Sequence, residues 1–377
     1  MKVLILSCNT GGGHNACAKA IKEVFDQHGD ICHIEDSIRF VSVKLSRFMT
    51  WGHDTMYKHI PGLFRFGYGF AETHPGVLND DAVLYKLLTS GTQQLYAFIT
   101  EGRYNAVICT HVFSGLLLSN MMRKHPINIK TAFVSTDYTC SPGAAKSNLD
   151  LYFVPGTSQT EEFVAGGVPK GKIIVSGMPV SQAFYKSTDK AIAKTRYGID
   201  PNHTHLLVMC GSMGCGPLKK LTELLSVRIR DNCEISIICG TNENLFDKLS
   251  QHYSDKRNIH IHGFVDNISS LMDSADLYLT KPGGLSSSEG ATKNLPMVFI
   301  NAVAGCEDYN LRYFVDMGGA TTASTVWELV ELCVDLLENE GKRNQMKWAL
   351  SAQDHINAAE CIYTTIHAPQ TKRGICE

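Results

Sequence analysis

The chain lacks any apolar run of the roughly 18 residues that a bilayer-spanning helix requires, so no segment is expected to cross a membrane. Its opening, MKVLILSCN, holds too short an apolar stretch for a signal peptide and leads directly into glycines, which makes a cytoplasmic location the expectation. D-x-D does not occur, and with it goes the usual carboxylate clamp for a metal–nucleotide complex. C-x-x-C is also missing, although there are 13 cysteines. An odd count, with Cys109, Cys210 and Cys239 in apolar strands and Cys17 and Cys333 in helical stretches, reads as buried thiols in preference to a disulfide or metal framework. His203-x-His205 and His260-x-His262 each put two imidazoles on one face of a strand. No Cys or carboxylate partner is apparent for them, so strand histidines are expected in preference to zinc. Neither a metal nor a cofactor is expected. A net charge of −2 gives no general pull toward nucleic acid.

What is present is globular. With 44% hydrophobic and 19% charged residues over 377 positions, the chain can bury the cores of two domains. One stretch organises the rest, from Leu277 to Asn310, LYLTKPGGLSSSEGATKNLPMVFINAVAGCEDYN. A short apolar strand meets a turn at Lys281-Pro282-Gly283-Gly284, and a hydroxyl-rich helix start follows, Leu285-Ser286-Ser287-Ser288-Glu289. A second buried strand, 296–300, ends in a small-residue loop carrying Cys306, Glu307, Asp308 and Asn310. This is a β-loop-α-β unit with its polar groups at the carboxyl ends of strands, where open parallel sheets bind ligands. Its glycines let backbone approach a ligand, and the N–H groups of the helix's first turn favour an anion such as phosphate. Glu289 either caps the helix or accepts two hydrogen bonds from a ribose diol. The unit as a whole is either that site or an ordinary glycine-rich turn.

The N-terminal residues have the same grammar. A continuous apolar run, 3–8, predicts a strand covered on both faces. Thr10-Gly11-Gly12-Gly13-His14 then opens a helix that Gly29 ends. A helix N-terminus disfavours the imidazolium, so His14 is expected neutral, able to accept a proton weakly or simply to cap the turn. Residues 80–100 read as one helix, and 129–135 as a strand ending in Thr136-Asp137-Tyr138. Asp137 is thereby placed at a sheet's carboxyl edge, as a reactive carboxylate or as an N-cap. Between Phe40 and Thr73, basic residues including Arg65 alternate with Trp51, Tyr57, Phe64 and other large apolar side chains. Such a segment either lies in a membrane interface or packs as an amphipathic helix on its own domain.

In the second half, a strand at 205–210 leads to Gly211-Ser212-Met213-Gly214-Cys215-Gly216, a loop suited to donating backbone N–H groups to phosphate oxygens. Its spacing is neither a P-loop nor a dinucleotide fingerprint. Phe264-Val265, just after another strand, either flank a nucleobase or belong to the core. After Ala320 the chain reads as helices. The expected fold is α/β, two Rossmann-like domains facing across a cleft, 1–180 and 181–355, with 356–377 a helix end and tail.

TKPGGLSSSEG followed by a carboxylate pair resembles the donor-sugar signature of family 28 glycosyltransferases, TGGGHNACAKAI the opening of that family's glycolipid-forming branch, and Thr55-Met56-Tyr57-Lys58-x-x-Pro61-Gly62-Leu63-Phe64-Arg65 the acceptor side of its diacylglycerol enzymes. The resemblance implies a GT-B fold whose last helix crosses back to the first domain. It also implies an inverting enzyme that moves a hexose, glucose or galactose, from a UDP-sugar to diacylglycerol or a related lipid on the inner face of the cell membrane. Asp137 becomes the base and His14 its alternative. Gly211, Ser212, Met213, Gly214, Phe264, Val265, Lys281, Gly283, Gly284, Leu285, Ser286, Glu289, Cys306, Glu307, Asp308 and Asn310 become the donor site. Gly12, Gly13, Trp51, Tyr57, Phe64 and Arg65 face the acceptor and the membrane. Cys306 departs from the pattern, since relatives commonly carry Gln there and a thiol is a poor partner for a sugar hydroxyl. Competing readings are N-acetylglucosaminyl transfer to a polyprenyl-linked acceptor, a UDP-sugar epimerase, and a non-catalytic membrane-bound nucleotide-sugar sensor.

Overall fold

The computed structural model describes residues 1–9, 12–42, 44, 73–211, 214, 216–300, 305–352 and 356–369. Trp51, Tyr57, Phe64, Arg65, Ser212 and Met213 lie outside the described residues, as does most of the aromatic–basic segment.

Two six-stranded sheets carry the fold, both parallel throughout. The first contains β1 (Lys2–Ser7), β2 (Ile31–Asp36), β3 (Ala106–Cys109), β4 (Lys130–Val134), β5 (Leu151–Val154) and β6 (Ile173–Val175), in the order β2-β1-β3-β4-β5-β6. The second contains β7 (Thr204–Met209), β8 (Cys233–Ile238), β9 (Ile259–His262), β10 (Leu277–Thr280), β11 (Met297–Phe299) and β12 (Ala320–Thr322), in the order β12-β11-β10-β7-β8-β9. Central strands such as β3, AVIC, are buried at every position, as expected where helices cover both faces. Cys17, Cys32, Cys109, Cys233, Cys239 and Cys333 are buried thiols within these layers.

Each sheet has a topological switch point. From β1 the chain winds outward to β2, then crosses back to β3 on the other side of β1. From β7 it winds to β8 and β9, then crosses back to β10. Connections leaving neighbouring strands in opposite directions open a crevice at their carboxyl ends. The described glycines after β1, β7 and β10, among them Gly13, Gly211 and Gly283, follow strands at these crevices.

Three expectations need correction. The single helix read over 80–100 is two, Val83–Leu88 and Thr92–Gly102. The break is at Gly91, which abuts backbone so closely that a Cβ there would stand 2.5 Å from the Phe40 carbonyl. The small-residue loop read over 305–310 is the start of a helix, Cys306–Met317, with Glu307 and Asp308 in its first turn where acidic side chains favour a helix. Finally β12 interrupts the helices expected after Ala320.

The chain leaves the first domain after β6, and its final helix, Ala358–His367, packs against the helix Gly12–Gln27. Ile362 and Ile366 enter the core formed by Val3, Ile5 and Phe25. Where the outgoing and returning segments pass, Gln182 Nε2 donates to Asn357 Oδ1 at 3.2 Å, and Asn357 Nδ2 donates back to Gln182 Oε1 at 2.7 Å.

Candidate active site between the two sheets

The loop after β4 presents Thr136, Asp137 and Tyr138 to the second domain. Opposite stands the helix Gly284–Thr292, whose N-cap is Gly283. Tyr138 Oη lies 2.8 Å from Ser288 Oγ. Because the Ser288 hydroxyl donates to the Gly284 carbonyl at 2.7 Å, the tyrosine is the donor across the seam. Gly13 and Leu285 also face each other there: a Cβ on Gly13 would stand 3.9 Å from Leu285 Cβ.

Asp137 is part-buried, and burial pushes its carboxyl up to about 6. Hydrogen bonds from Asn310 and Cys306 oppose that rise, and the nearby charge of Glu307 adds to it. A carboxyl near 6 remains mostly ionised at neutral pH while being more basic than an ordinary aspartate. The resemblance puts Asn310 on the donor sugar. The structure instead directs both ends of its amide to the first domain: Nδ2 donates to Asp137 Oδ1 at 2.9 Å, and Oδ1 accepts from the Tyr138 N–H at 2.7 Å.

His14 sits in the first turn of its helix, beside the switch point of the first sheet. Its Nδ1 is 2.9 Å from the Thr110 carbonyl and 2.8 Å from Thr136 Oγ1. A carbonyl can only accept, so Nδ1 carries a proton. The His111 ring packs edge-on against it at 4.6 Å.

On the second domain, Gly211, Gly214 and Gly216 all adopt positive φ. At Gly214 no other residue fits, since a Cβ would stand 2.1 Å from the Cys239 carbonyl oxygen. Lys281, 8% exposed, follows β10 and links the two loops, its Cε 3.5 Å from where a Gly216 Cβ would be. A cation between two backbone N–H loops suits a diphosphate. The helix Gly284–Thr292 has no side-chain cap, so Glu289 does not serve as one.

The Glu289 carboxyl makes no hydrogen bond to any described residue, and burial alone raises it to about 8. Burial, and after it the charges of Glu289 and Asp137, hold the Cys17 thiol protonated, so both carboxylates lie near it. Phe264 is 62% exposed, so the core reading of that side chain does not hold, whereas Val265 packs partly into the second domain. Sequence reasoning gave no role to Thr136, Tyr138, Cys17 or Ser288, because their importance comes from cross-domain contacts that no local pattern encodes.

Among the described residues no cluster of His, Cys, Asp or Glu is arranged to hold a metal ion. The two His-x-His pairs do gain a carboxylate that their own segments lack: Glu234 on β8 lies 3.0 Å from His203 Nδ1 and 2.6 Å from His260 Nε2. His205, buried against Ser236 and Ser274, is pushed down to about 3 and stays neutral.

Residues 14–180 match the family of monogalactosyldiacylglycerol (MGDG) synthase, and residues 205–360 match the glycosyltransferase family 28 C-terminal domain. A processive diacylglycerol beta-glucosyltransferase of Staphylococcus haemolyticus is 25% identical over 351 residues, 92% of this chain and 87% of that protein. Its counterpart in Bacillus cereus is 27% identical over 358 residues, 93% of this chain and 89% of that protein. Among solved structures, MurG of Acinetobacter baumannii superposes with a TM-score of 0.64 at 15% identity, covering 97% of this chain and 99% of that one, which shows a shared fold. With both halves matched in this way, relatives aligned over about nine-tenths of its length, and two parallel sheets meeting at their carboxyl edges, the chain belongs to family 28 of the glycosyltransferases, with the GT-B fold, and is a UDP-sugar-dependent hexosyltransferase.

Proposed function

We propose that the enzyme is an inverting transferase that moves glucose or galactose from a UDP-sugar to diacylglycerol or a related lipid, giving a β-linked glycolipid. The observation that carries this reading is the meeting of Asp137 with the uncapped glycine turn: a Cβ on Gly284 would stand 3.1 Å from Asp137 Oδ1. A base on one domain thus faces a phosphate cradle on the other. The curated relatives named above support the lipid acceptor.

In this reading Asp137 takes the proton of the acceptor hydroxyl as that oxygen attacks the anomeric carbon, and the bond to UDP breaks on the opposite face. His14 orients or relays from the side of the first glycine loop. Lys281 and the N–H groups of the 211–216 loop and the Gly283 turn receive the charge that develops on the leaving diphosphate. Glu289 accepts from the ribose diol, and Phe264 covers the base. Leu285, Ser286, Glu307, Asp308 and the thiol-bearing turn at Cys306 bound the sugar. Trp51, Tyr57, Phe64 and Arg65 attach the first domain to the membrane surface, a peripheral location consistent with the absence, among the described residues, of a helix long and apolar enough to cross a bilayer.

The deciding experiment measures UDP release with UDP-glucose, UDP-galactose and UDP-N-acetylglucosamine, each with and without diacylglycerol vesicles. Lipid-dependent release with a hexose donor is expected. Release with UDP-N-acetylglucosamine alone, or UDP binding without release, would replace this reading with polyprenyl-linked transfer or with a sensor.

A further inference from the structure

We propose that Asn310 and Cys306 are positioning residues that complete the general base on domain closure, the donor domain supplying the contacts that hold the acceptor domain's Asp137. The proposal rests on the reading of Asp137 as the base.

The backbone of Asp137 is held by its own domain, through Ser135 Oγ donating to the Asp137 carbonyl at 3.0 Å. Its carboxylate is held by the other domain. Among the described residues the partners of that side chain are Asn310 Nδ2, at 2.9 Å, and the Cys306 thiol. These two residues are one turn apart on the helix Cys306–Met317, so a single face of that helix delivers both donors. The orientation of the amide is fixed too. The Tyr138 N–H can only donate, so Oδ1 of Asn310 must face it at 2.7 Å, and Nδ2 is thereby aimed at the carboxylate. Asn310 is fully buried at 0% exposure, and both ends of its amide are engaged by the first domain. Such an amide works as a latch between domains and has little left to offer a sugar. The departure at Cys306 fits the same arrangement, since a thiol is a weak donor that restrains a carboxylate without neutralising it.

Separation of the domains would remove four influences on Asp137 at once: burial and the charge of Glu307, which raise its carboxyl, and the two hydrogen bonds, which lower it. Burial is the largest of these influences. The separated domains therefore hold an ordinary, mobile carboxylate, and contact converts it into a fixed and more basic one. Proton abstraction is confined to the state in which the donor domain has arrived.

The test compares Asp137→Asn, Asn310→Ala, Cys306→Ala and Cys306→Ser for kcat, KM for the UDP-sugar, UDP affinity and the acid limb of kcat against pH. Asn310→Ala should lower kcat by ~10–100-fold with UDP affinity held within a few-fold. It should also move the acid limb to higher pH, because a bond favouring the carboxylate is gone. Cys306→Ala should move the limb in the same direction, and Cys306→Ser, which keeps a donor, should restore it. If Asp137→Asn abolishes turnover while Asn310→Ala and Cys306→Ala leave kcat and the limb unchanged, the latch is wrong and the base stands. A raised KM with unchanged kcat in Asn310→Ala would also overturn it, by returning Asn310 to the sugar. Normal turnover in Asp137→Asn would remove the base and the latch together. Should Asn310→Ala fail to fold, the two Cys306 variants decide alone.

Discussion

Gly284 meets the carbonyl of Thr136 at such close range that a Cβ on Gly284 would stand 2.3 Å from that oxygen. The obstruction is backbone against backbone, so no side-chain rotation relieves it. Gly284→Ala should therefore hold the two domains about 1 Å further apart, a displacement that costs on the order of 100-fold in turnover when it separates reacting groups. UDP affinity should change by no more than a few-fold, because the donor loops move as one body. Steady-state kinetics beside a UDP titration checks this, and an alanine variant with normal kcat would show that the seam is not closed during catalysis.

The ionisation of Asp137 sets a second expectation. As the base it must be deprotonated, so kcat should fall about tenfold per pH unit below the carboxyl's value of about 6. Asp137→Asn should lower turnover by ~100-fold or more and leave UDP binding intact. An acid limb near the ordinary aspartate range would show that the buried carboxyl is not the titrating group.

Glu289 makes ligand binding depend on pH. Its carboxyl is raised to about 8, yet a ribose diol needs an acceptor there. If both ribose hydroxyls donate to it, binding expels a proton below that value, and affinity should rise with pH by up to ~10-fold per unit until about pH 8. Uridine is the better probe, because its lack of a phosphate removes a competing titration. Flat affinity between about pH 6 and 8 would separate Glu289 from the ribose.

The same carboxyl bears on the ligand-free protein's stability. A raised Glu means that the folded state binds the extra proton between the ordinary value of 4.5 and about 8, so stability falls as pH rises through that window. Glu289→Gln should consequently raise Tm in alkaline buffer by a few degrees, corresponding to ~1–2 kcal/mol at ~2–4 °C each. The gain should vanish below about pH 4.5. Thermal unfolding at both ends of the range reads it directly.

Phe264 is exposed, so its removal should leave the fold untouched. Phe264→Ala should weaken UDP binding by ~1–3 kcal/mol if the ring covers the base, with Tm unchanged. Unaltered UDP affinity would leave the ring without a role in donor binding.

Much of this architecture was legible in the residues. Apolar runs such as 3–8 and 277–280 announce buried parallel strands because helices cover both sheet faces and no alternation survives. The glycine turn at 283–284 and the TDY after β4 could be placed at carboxyl edges for the same reason. What stayed hidden depends on the second domain's approach. Asn310 reads as a loop amide until the helix beneath it is known, and only then does it reach Asp137. Glu234 is separated by 31 residues from His203 and by 26 from His260, which it joins through strand register alone. Three-residue β12, with the sequence ATT, has too little apolar content to declare itself.

The paired amides of Gln182 and Asn357 have a mechanical consequence. Because the chain crosses between the domains twice, and the crossings are fastened side by side, the two bodies cannot twist independently about a single flexible tether. Tyr185 Oη reinforces the fastening, donating to the Ile356 carbonyl and accepting from the Ala358 N–H, each at 3.3 Å. A rotation of one body against the other would pivot beside Gln182, with travel smallest there and growing with distance from it.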